Sequence, residues 1–155
     1  MSRDQRAGHD ILAAVDLTDD AGAVVEAAAR VALSTGVGLH VVHVAAGEPV
    51  LAGYDRGPVA THTRDERAGE LTDEHAWLRE LASNWSDDDL TVVPLVLLGS
   101  TVESILTEAE RLDAPMIVVG RHAHGHLHHL VLGSVSEGIV RHATRPVLVV
   151  PVRAT

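Results

Sequence analysis

At 155 residues the chain is long enough to bury one sizeable core, and it suits a single domain spanning 1–155 with its core at about 10–152. Its 22 acidic residues outweigh 12 basic ones, all arginine, and the net charge of −10 repels nucleic-acid backbones and anionic lipid. No cysteine is present, so disulfide and thiolate chemistry are excluded, and no apolar run approaches the roughly 20 residues of a membrane span.

The opening "MSRDQRAGHD" has no apolar signal core, so the expected location is cytoplasmic. The first strand is read at "DILAAVD", residues 10–16. Its closing carboxylate, Asp16, has two readings. It either starts the turn or caps the next helix, with Thr18 or Asp19 sharing that role, or it accepts hydrogen bonds from a ribose or a base edge. A helix follows over 19–36, with an Asp pair at its start and Gly36 at its end. "LHVVHV" (39–44) is the second strand, and the Gly- and Pro-containing stretch 45–60 has no periodicity and reads as a surface loop. Leu71, Trp77, Leu78 and Leu81 stand at helical spacing within 61–85.

"LTVVPLVL" (90–97) is the third strand, followed by a helix over 101–112 whose Val102, Ile105, Leu106 and Ala109 share one face. "PMIVVG" (115–120) is the fourth strand, "SVSEGIVRHAT" (134–144) the last helix and "RPVLVVPV" (145–152) the fifth strand. Val-rich runs without strict alternation are expected of strands covered on both faces. Strand–helix alternation implies parallel crossovers and a doubly wound sheet, whose ligands sit at the carboxyl ends of strands where the strand order reverses. The residues to read for function are therefore Asp16, Val44, Gly99–Ser100 and Gly120.

Two motifs stand near those ends. In "LGSVSEGIV", Ser134 with Glu137 three residues on has the form of a capping box, which would satisfy the helix-start amides internally. The same amides at the positive end of the helix dipole suit a phosphate, and Gly133 would admit it to the backbone. A Glu137 folded back would repel that phosphate unless it swung away or paired with an arginine. The second motif is "HAHGHLHH", with histidines at 122, 124, 126, 128 and 129. Extended, it would place four imidazoles on one side, able to take zinc, nickel or copper, yet it has no cysteine or carboxylate ligand. No deliberate metal site is expected there.

Read in order, "ILAAVD", "LHVVHV", "LGSTVESIL", "APMIVVGRHAHG" and "LVLGSVSEGIVRHATRPVLVVP" resemble the universal stress protein family (UspA-like), over about residues 10–152. The resemblance implies an α/β fold, a five-stranded parallel sheet in the order 3-2-1-4-5 with helices on both faces. It also implies a stress-response protein that binds ATP or a related adenine nucleotide, with or without Mg2+, and acts as a sensor or regulator. The family's nucleotide-binding pattern is Gly, two residues, Gly, nine residues, Gly, then Ser or Thr. Gly120 takes the first place and Gly133–Ser134 the last, while Ala123 stands at the middle glycine with Gly125 two residues on. If that position has positive φ, alanine costs about 1–2 kcal/mol; if not, its methyl only narrows the site.

The implied phosphate contacts are Gly120, Arg121, His122, Ala123, Gly125, Gly133, Ser134, Val135 and Ser136. Ala14, Asp16 and the backbone of Val44 are the implied adenine and ribose contacts. Family dimers often pair through the last strand, here 146–152. The chain contains no lysine and therefore no Walker-type ammonium. No enzyme is expected beyond slow ATP hydrolysis or self-phosphorylation. A nucleotide-free dimeric scaffold acting through protein partners is the alternative.

Overall fold

The computed structural model describes residues 9–46, 64–122 and 133–152. In chain order the elements are β1 (Ile11–Ala14), α1 (Ala21–Thr35), β2 (Leu39–Ala46), α2 (Arg64–Ser83) and β3 (Val92–Gly99). They continue with α3 (Thr101–Arg111), β4 (Ile117–His122), α4 (Ser134–His142) and β5 (Val147–Val152). All four strand pairings are parallel, in the order β3-β2-β1-β4-β5.

The sheet is covered on both faces. On one side Val41, Val118 and Leu39 pack with Val24, Val25, Ala28 and Ala29 of α1 and with Leu78 and Ala82 of α2. On the other, Leu12, Val42, Ile117 and Val119 pack with Ile105 and Ala109 of α3 and Ile139 of α4. Burial on both faces explains why these strands read as continuous apolar runs. Alanines at 21, 28, 29 and 32 let α1 lie close to the sheet in a chain almost without aromatic bulk. Gly36 stops α1 in the left-handed conformation, φ 72°, and its amide donates to Ala32 O, as a C-terminal glycine does.

The strand limits differ in informative ways. β1 ends two residues before Asp16, so that carboxylate stands on the turn rather than on the strand. β2 runs on through Ala45 and Ala46, which the sequence assigned to the loop, because they pair with Leu98 and Gly99 of β3. The third strand is displaced toward Gly99 for the same reason. Leu90 is buried just ahead of it, which accounts for the early start read from hydropathy alone.

Asp10 was read as a strand residue but acts as a buried anchor at the amino edge. Its Oδ1 accepts from the Gly38 amide at 2.9 Å, and its Oδ2 lies 3.4 Å from His40 Nδ1, which makes no hydrogen bond among the described residues. Burial pushes the His40 imidazole below its ordinary value, against the opposing pull of Asp10 and Glu108. Above about pH 6.5 the folded and unfolded chains both hold His40 neutral. As pH falls, the unfolded chain takes up a proton first, so the stability His40 contributes is lost down to its lowered folded pKa. Urea unfolding between pH 8 and 5 is expected to show this loss, with a shallower fall in His40→Gln.

Candidate functional site

The strand order reverses between β1 and β4, since β1 connects to β2 on one side while β4 connects to β5 on the other. Helices α1, α3 and α4 each follow β1, β3 and β4 directly, so all three begin at the carboxyl edge. A cleft of about 470 Å³ opens there, lined by Asp16, Asp20, His43, Thr101, Gly120 and Ser134 among others. That volume lies within the range of small-ligand sites.

Of the twelve residues singled out from the sequence, Ala14, Asp16, Val44, Gly120, Gly133, Ser134, Val135 and Ser136 line this one cleft. Ala14 and Val44 supply apolar wall from adjacent strands. Arg121 and His122 continue β4, paired with Pro151 and Val152, and Arg121 is outside the lining formed by the described residues. Ala123 and Gly125, and with them the remaining histidines of 124–129 and the metal reading, lie outside the described residues.

The start of α4 corrects the capping reading. Gly133, not Ser134, is the N-cap, with extended backbone at φ −60° and ψ 158°. Ser134 is therefore the first helical residue and Glu137 the fourth, one step out of the register a capping box needs. The Glu137 amide makes the first helical bond, to Gly133 O at 2.8 Å. Its carboxylate pairs with Arg141 Nη2 at 2.7 Å, one turn toward the C-terminus. The negative charge is thus drawn away from the helix start. The amides of Ser134, Val135 and Ser136 precede the intrahelical ladder and have no helical acceptor.

Ser136 plays a role the sequence did not show. It is buried, and its hydroxyl donates to Gly120 O at 2.6 Å, pinning the start of α4 to the end of β4. The same cleft is lined by two carboxylates. Asp16 is exposed and accepts the Thr18 hydroxyl at 2.5 Å, so the turn role is present without removing Asp16 from the cleft. Asp20 is the other. The start of α4, two carboxylates and apolar side chains thus line one cleft, a set that suits an anion joined to a hydroxyl-bearing, flat apolar group.

Sequence reading passed over His43, Asp20, Val24, Thr101, Ile105 and Val119, which also line the cleft. His43 was detectable as the polar interruption of "VVHV", the next-to-last residue of the strand read there. Thr101 and Ile105 reach the cleft because α3 begins beside α4, which no local pattern announces. Gly138 in α4 permits that neighbourhood: a Cβ there would stand 2.8 Å from Val102 Cγ2.

The universal stress protein family model matches residues 9–151. The chain belongs to the universal stress protein family. Universal stress protein A homolog 1 of Coxiella burnetii is 33% identical over 141 residues, covering 90% of this chain and 94% of that one. The universal stress protein of Archaeoglobus fulgidus, solved in complex with dAMP, superposes with a TM-score of 0.65 at 25% identity, covering 92% and 98% of the two chains. Another universal stress protein, solved in complex with cAMP, gives a TM-score of 0.63 at 20% identity over 94% and 98%. This universal stress protein shares their doubly wound sheet. Among its described residues, no helix is long and apolar enough to cross a membrane.

Proposed function

We propose that this universal stress protein binds an adenine nucleotide, ATP foremost, in the cleft between β1 and β4, and acts as a sensor or regulator rather than a catalyst. The observation that carries the reading is the start of α4. Its three leading amides border the cleft while Glu137, the group that would repel phosphate, is held by Arg141. Helix-start amides and the dipole behind them stabilise anions without a lysine. Ala14, Val44 and Val119 offer apolar surface to a base, and Asp16 an acceptor to a ribose hydroxyl. The dAMP and cAMP complexes of relatives support the nucleotide class. A divalent cation bound with the nucleotide would screen the phosphates from Asp16 and Asp20.

Isothermal titration with ATP, with and without Mg2+, is expected to show one site per chain with micromolar affinity, about −8 kcal/mol. No heat at millimolar nucleotide would overturn the reading in favour of a nucleotide-free scaffold. A dimer would form through β5, an edge strand whose Val147, Leu148, Val149 and Val150 are only half-buried. Sedimentation analysis checks this second element separately from nucleotide.

A further inference from the structure

The turn that brings Asp16 to the cleft lining has already left the sheet. Backbone pairing in β1 ends at Ala14, although the Val15 amide still donates to Val42 O at 2.9 Å. The Val15 carbonyl is met by a side chain instead, His43 Nδ1 at 3.1 Å. A carbonyl oxygen can only accept, so Nδ1 carries a hydrogen, and in the tautomer with that hydrogen alone the lone pair lies on Nε2. That nitrogen faces Glu74 Oε2 of α2 at 3.7 Å, beyond hydrogen-bond reach. The Glu74 oxygen is itself buried and makes no hydrogen bond among the described residues.

His43 thus stands between the end of β1, where it donates to Val15 O, and Glu74 of α2. Its side chain is 12% exposed and reaches the cleft. On its inner side it grips the residue immediately before Asp16.

We propose that His43 is a positioning residue of the nucleotide site: its Nδ1–H extends the β1–β2 ladder by one side-chain bond and so fixes the Val15–Thr18 turn that presents Asp16 to the cleft. This rests on the nucleotide reading above. Glu74 stands behind the ring as a second acceptor and contributes no bond in this tautomer. The ligand class that gains from the clamp is one carrying a hydroxyl within reach of Asp16, a nucleoside phosphate rather than free phosphate.

Three substitutions separate positioning from space-filling. His43→Asn places an amide nitrogen where Nδ1 stands and keeps the donor. His43→Gln places its amide nearer Nε2, and His43→Leu fills the volume with no donor at all. Loss of one bond that orders a binding turn is expected to weaken ATP binding about tenfold in the Leu and Gln variants. The Asn variant should recover to within about threefold of the parent. ITC is the measurement, and a free-phosphate titration should not distinguish the variants. Asn binding no better than Leu would overturn the proposal.

Nitrogen-15 NMR of the histidine rings in the nucleotide-free protein provides an independent readout. The Nδ1–H tautomer is expected at His43, and the Nε2–H tautomer would overturn the proposal. Should the parent bind no nucleotide, the nucleotide reading fails by itself. The clamp is then judged on the Val15–Thr18 backbone resonances, which must shift in His43→Leu and stay near the parent's in His43→Asn. Resonances unmoved by Leu would sink it. Glu74→Gln turns the facing acceptor into a donor for Nε2, so a melting temperature higher by about 2–4 °C is expected. A lower one, together with an Nδ1 that carries no hydrogen in the ring spectra, would overturn the proposal.

Discussion

Ser134→Pro is expected to weaken ATP binding by tenfold to about a hundredfold while leaving stability within about 1 kcal/mol of the parent. The substitution deletes one backbone donor and little else. Ser134 is the first residue of α4, where proline's fixed φ suits the helix and the missing N–H breaks no intrahelical bond. Proline also restricts the residue before it to extended backbone, and Gly133, at φ −60° and ψ 158°, already has it. A donor directed to a charged oxygen is worth roughly 1.5–3 kcal/mol, which sets the expected loss. Ser134→Ala is the control, since it removes the hydroxyl and retains the amide, and it should bind within a few-fold of the parent. Titration calorimetry and urea unfolding of the three proteins decide the matter. Parent-like affinity in Ser134→Pro would remove the α4 start from the site.

Gly120→Ala is expected to cost about 1–3 kcal/mol of stability and to weaken nucleotide binding with it. A Cβ at Gly120 would stand 2.9 Å from Val24 Cγ2 and 3.4 Å from Val152 Cγ2. Val24 is 4% exposed, sits in a helix and is β-branched, so its χ1 has almost no freedom to turn the methyl aside. The backbone must move instead. Gly120 O is also the acceptor for Ser136, so a displaced β4 end loosens the start of α4 that borders the cleft. Val24→Ala removes the obstructing methyl. In that background the added cost of Gly120→Ala should fall by at least about 0.5 kcal/mol, a coupling that a double-mutant cycle by urea unfolding measures. Strict additivity would show that Gly120 is not limited by contact with α1.

The doubly wound class and the edge of the sheet that holds the cleft were legible in the alternation of elements, and the sheet order in the family motifs. Five β-branched runs separated by amphipathic stretches leave few topologies once parallel crossovers are required. Strand ends marked Asp16, Val44 and Gly120, the helix-start motif marked Gly133 and Ser134, and the family motifs supplied Ala14, Val135 and Ser136, all of which line the cleft. Gly36 was legible as a stop for a local reason. The capping box was misread because Ser134–Glu137 has the right spacing in either register, and only the backbone angle at Gly133 shows which residue lies outside the helix.

Other contacts were out of reach because they join residues far apart in the chain. The Asp10 carboxylate on the Gly38 amide, Ser136 on Gly120 O, and His43 on Val15 O link positions separated by 28, 16 and 28 residues. Each involves a common polar side chain whose partner is a backbone group, and a backbone group has no signature in a sequence. What the sequence by itself determined is the set of elements, their two-faced burial and the edge of the sheet where a ligand would sit, because hydrophobic periodicity and glycine punctuation are local. What only the tertiary structure decided is which polar groups face the cleft and which are spent holding it in shape. That division depends on distances between strands and helices that packing sets, and a shift of about 1 Å would reassign it.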